Sequence, residues 1–434
     1  MKIQLRKTAL SLAIAACVGV SGAAFANETA SSVKGQITGP NGNPATGTQI
    51  TIIHLPSGST KTTTVNEQGN FSTKGLRVGG PYKIIVDSDK YEDTQLDDVY
   101  LTLGQTYPVT VALRSQQMEQ IVVSGAPISA QSGSTGPAAY FTLDDLENKP
   151  AINRDLKDII RADPRIYIDE TNAGAINCGG GNPRFNSLTV DGVRMNDNFG
   201  LNSSGYPTER MPFSFDSIAQ VAVELAPFDV QYGGFTSCNI NAVTKSGTNE
   251  ITGGFFYDYT NDSMSGDSIE GEKQELGDYS EKRYGFNVGL PLIEDKLFLF
   301  TSYEKLEGAQ IFNYTPFANG RIDQATIDRV TQIAIDKYNY DPGTMVPSMP
   351  VEDEKILVKL DWNINEAHRA SFVYNYNDGF SLAQSDADSS EIALSNHFYE
   401  RGAELQSYVA SVYSDWTDNF STEVRVGYSK LDNR

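Results

Sequence analysis

Ile356-Leu357-Val358-Lys359-Leu360-Asp361-Trp362 and Ser371-Phe372-Val373-Tyr374-Asn375-Tyr376 are the runs whose reading decides the fold. In the first, Ile356, Val358, Leu360 and Trp362 share a face opposite Leu357, Lys359 and Asp361; in the second, Phe372, Tyr374 and Tyr376 oppose Ser371, Val373 and Asn375. A period of two is the signature of a strand. It recurs where Phe255, Tyr257 and Tyr259 oppose Phe256, Asp258 and Thr260, at Tyr284, Phe286, Val288 and Leu290, and at Val424, Val426 and Tyr428. One face is apolar and aromatic and the other polar, which fits a half-buried soluble sheet or a membrane barrel with lipid outside. Connection lengths separate the two. Long loops at about 261–281, 307–353 and 378–402 alternate with tight turns at 293–296, 365–367 and 417–419. Outer-membrane barrels alternate in this way, and tilted strands of about 9–11 residues cross a bilayer. Residues 250–434 therefore read as part of a membrane barrel of about seven strands.

Upstream, residues 140–249 read as a small α/β unit. Thr142-Leu143-Asp144-Asp145 is a capping-box pattern, and Asn153 is the expected cap of a second helix that buries Leu156, Ile159 and Ile160 before Pro164 stops it. Strands are expected at 165–169, 186–191 and 218–225. The motifs Ser187-Leu188-Thr189-Val190-Asp191-Gly192-Val193, Ile218 to Pro227, Gln231-Tyr232-Gly233-Gly234 and Asn239 to Asn249 follow in order. Together they resemble the plug domain of TonB-dependent outer-membrane receptors. The Ser246-Gly247-Thr248-Asn249-Glu250 ending, the Cys178 and Cys238 pair and the domain that precedes them look most like the Oar-like branch. Phe235-Thr236-Ser237-Cys238 departs from the Gly-rich stretch many plugs carry, so siderophore-type contacts do not carry over.

Residues 115–139 are rich in Ser, Gly, Gln, Pro and Ala, the composition of a flexible linker, with one apolar island at Ile121-Val122-Val123. Glu119-Gln120-Ile121-Val122-Val123-Ser124-Gly125 resembles a TonB box, which a partner grips by strand addition. The island could equally be a last strand of the preceding domain or an ordered linker. That domain, residues 33–113, reads as a small β-sandwich of short alternating strands at 49–53, 82–86 and 108–113 with turns at Asn41-Gly42, Gly69-Asn70 and Gly79-Gly80. It resembles the carboxypeptidase regulatory-like domain, which implies a transthyretin-like, carbohydrate-binding-like fold. A fold of that kind carries no chemistry by itself. The expected class is mainly β: sandwich, α/β plug, then the first strands of an antiparallel barrel.

Lys2, Arg6 and Lys7 precede an apolar stretch ending in Ala24-Phe25-Ala26, so residues 1–26 read as a secretory signal peptide cleaved between Ala26 and Asn27. Cys17 lies inside that stretch. In an oxidising compartment Cys178 and Cys238 read as a disulfide, because two thiols without nearby His supply too few ligands for zinc; two free buried thiols are the other reading. Asp+Glu number 55 against 34 Lys+Arg, a net charge of -21 that has the wrong sign for nucleic acid. The 39% hydrophobic content excludes a bundle of apolar membrane helices, and 38 Gly with 22 Tyr and 20 Phe favour strands and turns.

Enzyme chemistry finds little support. The 3 His, at 54, 368 and 397, limit acid-base and metal catalysis, and His397-Phe398-Tyr399-Glu400 lacks the further His of a carboxypeptidase zinc site. Cys178-Gly179-Gly180-Gly181 is not followed by the Gly-Lys-Ser/Thr of a phosphate loop. No metal or cofactor is expected. The resemblance implies an outer-membrane protein with its sandwich and box in the periplasm. It further implies TonB, with ExbB and ExbD, as energy-transducing partners, lipid around the barrel, and an extracellular ligand that is an iron chelate, oligosaccharide, peptide or protein. Arg194, Asn196, Asp197 and Asn198 are candidate ligand contacts, with ordinary plug loops as the plainer reading. Since such barrels hold about 22 strands, the sequence is expected to be the N-terminal part of a longer receptor. A barrel-anchored surface protein for adhesion, export or assembly, with the sandwich binding glycan or peptide, is the alternative function.

Overall fold

Short alternating runs and tight turns build two sheets between Ser31 and Ala112. The strands are β1 (Ser31–Thr38), β2 (Gln49–His54), β3 (Ser59–Thr64), β4 (Asn70–Leu76), β5 (Gly79–Asp87), β6 (Thr94–Leu101) and β7 (Thr106–Ala112). One sheet runs β4-β1-β7 and the other β3-β2-β5-β6, with β1 and β7 parallel and the other pairs antiparallel. Inward residues Val33, Ile37, Ile50, Ile52, Ile84 and Val109 close a core between them. At the Asn66–Asn70 turn the Asn66 carboxamide oxygen accepts the N–H groups of Gln68 and Asn70 at 3.0 and 2.9 Å. Gly69 there takes φ 80°, which side chains rarely adopt.

The computed structural model describes residues 28–434 apart from 116–135, 173, 198–199, 203, 228–231, 265, 267, 270–271, 274–278, 312–319, 347, 385–390 and 418–419. The expected leader with its Ala26–Asn27 cleavage site, residues 119–125 and Asn198 thus lie outside the described residues.

The plug comprises β8 (Ala138–Phe141), α1 (Leu143–Asn148), α2 (Leu156–Ile160), β9 (Ile166–Asp169), β10 (Ala175–Cys178), β11 (Ser187–Val190), β12 (Val193–Arg194), β13 (Ile218–Leu225) and β14 (Cys238–Thr244). Its main sheet runs β12-β11-β14-β13-β8, and β9 pairs with β10. Thr142 caps α1 in a reciprocal box with Asp145. The cap of α2 is Asp155, whose carboxylate accepts the Lys157 N–H at 2.9 Å, and not Asn153. Asn153 instead donates its own N–H to Asp158 at 2.8 Å. Both residue types cap well, and the carboxylate immediately before the apolar face prevails. Leu156, Ile159 and Ile160 are fully buried. Cys178 and Cys238 are joined by a disulfide, tying β10 to β14 with Cα atoms 5.9 Å apart. Closing a loop of 60 residues stabilises the fold by about 4 kcal/mol in the chain-entropy account.

A single seven-stranded antiparallel sheet forms the wall: β15 (Thr252–Asn261), β18 (Ser280–Ile293), β19 (Leu297–Ile311), β20 (Ser348–Asn363), β21 (His368–Gln384), β22 (Phe398–Thr417) and β23 (Phe420–Asn433), each paired with the next. The two-residue strands β16 (Ser268–Ile269) and β17 (Glu272–Lys273) pair within the first long connection. The outer face is aromatic. Phe286 sits opposite Tyr303, and Tyr408 lies between Tyr374 and Tyr428, with ring centroids 5.9, 4.9 and 6.3 Å apart. Such cross-strand pairs hold register and suit a lipid boundary.

The strands run further than their aromatic stretches. At about 3.3 Å per residue the 20 residues of β22 reach roughly 66 Å, against a hydrocarbon layer of about 30 Å. The loops expected at 307–353 and 378–402 are shorter in consequence. Backbone pairing continues past the end of the sequence alternation, as at Phe380 beside Gly402 and Ala383 beside Tyr399. The long connection after β19 also holds α3 (Gln324–Tyr338), capped by Asp323, whose carboxylate accepts the Thr326 N–H at 2.8 Å.

His54, at the end of β2, is buried against Tyr82, with ring centroids 4.7 Å apart, and its Nδ1 lies 2.7 Å from Ser57 Oγ. Burial, followed by the guanidinium groups of Arg77 and Arg369, lowers its pKa from 6.5 to about 3. The fold therefore holds the neutral ring, while an unfolded chain binds a proton below about pH 6.5. Stability is full above that pH and falls as pH drops towards 3, by on the order of 5 kcal/mol at the limit. Carboxylates titrate in the same window, so the reading is a difference: pulse proteolysis of wild-type chain should show a steeper acid loss than His54→Gln. Equal slopes would contradict the assignment.

Candidate functional site

Over the central strands β19 to β22 the polar face of the wall is buried, and it meets the plug. At the end of β11, Asp191 takes φ 47° and turns its carboxylate back to accept the Thr244 N–H and hydroxyl at 3.1 and 2.7 Å. Lys359 of β20 reaches in from the wall. Its ammonium donates to the Thr244 carbonyl at 2.9 Å and lies 3.7 Å from Asp191 Oδ1. Higher on the wall, Lys355 stands between Glu304 and Asp353, at 3.4 and 3.1 Å, and Ser214 of the plug donates to Glu304 at 2.9 Å. Asn375 donates to the Pro212 carbonyl at 2.9 Å. All of these wall groups are buried, so each desolvated charge has an opposite charge or a hydrogen-bonding group within reach.

On the side of the long connections, plug and wall part to leave a cavity of about 460 Å3. Its lining is charged: Arg154, Lys157, Arg161, Arg210 and Arg283 alternate with Asp155, Asp158, Glu170, Glu209 and Glu281. The plug supplies the first of these from the start of α2. Arg154 pairs with Asp216 at 2.6 Å and stacks on Phe256 of the wall, 3.4 Å from the ring centroid. Lys157 sits over the Tyr206 ring at 4.5 Å, and burial lowers its pKa. Tyr206 donates to Asp155 at 2.7 Å, so one carboxylate both caps α2 and holds this ring. From the wall, Arg401 grips Glu209 through two bonds of 2.8 and 3.0 Å, and Ser381 donates to the same carboxylate at 2.8 Å. Arg283 donates to the Asn153 carbonyl at 2.5 Å. The arrangement presents both signs of charge to a polar guest.

The expected contacts lie elsewhere on the plug. Arg194 Nε donates to Asn196 Oδ1 at 3.0 Å; Asn196 also accepts the Leu188 N–H at 3.1 Å and donates to the Asn186 carbonyl at 2.6 Å. Asp197 accepts the N–H groups of Gly200 and Asn202, both at 2.8 Å. Asn196 and Asp197 line a separate cavity of about 180 Å3 with Arg184 and Asn202. These side chains shape their own loops. Sequence reading missed the charged cavity because its partners are far apart in the chain: Glu209 and Arg401 are separated by 192 residues. The Asp155-to-Asp158 turn after Arg154 was its one local signal. Of the weighed zinc pattern, Glu400 accepts from Arg434 at 3.2 Å, and among the described residues no three His, Cys, Asp or Glu groups gather as a metal site.

Residues 32–114 match the carboxypeptidase regulatory-like domain, and residues 243–344 match the outer membrane beta barrel domain. The chain is 24% identical over 399 residues to the TonB-dependent transporter Oar of Myxococcus xanthus, covering 86% of this chain and 35% of that protein. It is 30% identical over 189 residues to a protein described as a probable TonB-dependent siderophore receptor, PirA, of Acinetobacter baumannii, covering 40% and 23%. The chain thus spans about a third or less of the curated relatives it matches. The solved outer membrane transporter YddB from Escherichia coli shares the fold at TM-score 0.50 and 12% identity, over 67% of this chain and 38% of its own. The solved PirA from A. baumannii does so at 0.50 and 20%, over 69% and 40%.

Replacing Lys355 by Met leaves Glu304 and Asp353 buried together without their cation. Removing one side of a buried ion pair costs about 3–5 kcal/mol. Lys355→Met should therefore lower the urea midpoint at which the plug loses protease protection, and Lys355→Arg should keep most of it. An unchanged midpoint in the Met variant would show that the cluster does not seat the plug.

Proposed function

We propose, from the likeness to the TonB-dependent transporter Oar and the two matched domains, that the chain belongs to the Oar-like branch of the TonB-dependent outer-membrane receptors and serves energy-coupled uptake of an extracellular polar ligand. The observation that carries this reading is a plug seated on a strand wall by buried ion pairs, with a charged cavity opening on the side of the long connections. A ligand entering there meets plug and wall together, through Arg154, Lys157 and Glu209 on one side and Arg283 and Ser381 on the other. Its binding can thus change how the two are held. Arg194, Asn196, Asp197 and Asn198 are kept in this reading as further ligand contacts on the plug.

Energy must come from outside the chain. In the proposed mechanism TonB, driven through ExbB and ExbD, adds a strand to residues 119–125. Main-chain hydrogen bonds then give it a grip through which force reaches the plug. The plug opens a path when its ion pairs with the wall exchange for water, and lipid holds the wall in place throughout. The ligand is one of the iron chelate, oligosaccharide, peptide or protein classes.

Val122→Pro removes one ladder donor from the segment and fixes its φ. In cells, site-specific crosslinking between residue 120 and TonB should fall at least about tenfold with Val122→Pro, one lost step of roughly 1.4 kcal/mol or more. Crosslinking at the wild-type level would defeat the box assignment.

A further inference from the structure

The sandwich is fastened to both partners of the plug–wall interface. Against the plug, the Gln220 carboxamide takes the Leu103 N–H at 2.9 Å and donates to the Leu101 carbonyl at 3.1 Å, as a strand neighbour would. Leu103 is buried beside Ala222 and Val243 of the plug sheet. Against the wall, contacts gather at the ends of the short turns. Arg77 donates to Asn363 at 2.9 Å and lies 3.4 Å from Asp361, with both members of the ion pair buried. Arg369 donates to the Gly75 carbonyl at 3.1 Å, and Lys61 pairs with Asp415 at 2.5 Å.

We propose that the sandwich is a periplasmic latch: docked, it clamps the plug to the wall, and it has to leave before the plug moves. Two features suit it to that task. Its core is closed by its own residues, so it can separate as a folded body. Its contact with the wall includes two ion pairs, and Arg77, Lys61, Asp361 and Asp415 all regain hydration on separation. A buried ion pair of this kind specifies one docked position while adding little net affinity, which is the property of a reversible catch. The inference builds on the uptake reading, yet its test needs neither TonB nor ligand.

The experiment is conductance of the receptor in planar lipid bilayers as urea is raised, with onset of ion current reporting loss of the plug's hold. Arg77→Glu places like charges at the Asp361 contact and should bring onset roughly 1 M lower than wild type. The exchange Arg77→Glu with Asp361→Arg should restore it. A Cβ at Gly75 would lie 3.4 Å from Tyr413 Cβ, close to the span of a disulfide. The oxidised Gly75→Cys/Tyr413→Cys protein should therefore open only at higher urea than either single variant. Onset at one urea concentration for wild type, Arg77→Glu and the crosslinked protein would overturn the latch and leave TonB crosslinking at residue 120 as a separate question. An Arg77→Glu protein that fails to insert still leaves the crosslinked protein to decide.

Discussion

The requirement that governs this structure is that buried charge must be matched. A strand wall that turns its apolar and aromatic residues outward puts its polar residues on the other face, and where a plug covers that face those residues have lost their water. Lys359 on Thr244 and Asp191, and Lys355 between Glu304 and Asp353, are how the demand is met. The backbone follows from it. Asp191 adopts a left-handed conformation so that its carboxylate can hold Thr244 and stand near Lys359, and the turn after β11 takes its shape from that. The plug motifs are therefore sequences that put acceptors where wall lysines arrive.

Much of the architecture was legible because strands report themselves at a period of two. The runs around Ile356, Phe372 and Val424 point to the wall, its apolar and aromatic outer face and the alternation of short and long connections, and the structure carries each of them. Local chemistry was legible where it was local, as at the Thr142 box. It was ambiguous where two neighbours could do the same job, as with Asn153 and Asp155. The connection at 307–353 reads as loop, yet it holds the helix Gln324–Tyr338, which Asp323 and the Ile327, Val330, Ala334, Tyr338 spacing announce.

The site was much less legible. Each residue of the charged cavity is an ordinary surface type when read alone, and several join the site through a partner far away in the chain. Glu209 and Arg401, Arg154 and Phe256, Arg77 and Asp361 are joined only by the fold. Asn196 and Asp197 stand out because they cluster in sequence, and the bonds they make in the structure are to nearby backbone. Clustering along the chain measures local backbone demand at least as often as it measures recognition.

One topological detail bears on how such an assembly would yield. The segment 116–135 runs between β7 and β8, and each of these is the outermost strand of its sheet. Each is also joined to that segment at the very end of its ladder, at Ala112 beside Thr38 and at Ala138 beside Glu224. Tension applied through that segment meets first the bonds just outside each ladder, the Arg114 carbonyl with the Glu92 N–H at 3.0 Å and the Pro137 carbonyl with the Leu225 N–H at 2.9 Å, and then the edge strands themselves. With four paired residues in β8 against seven in β7, the plug-side edge is the weaker seam.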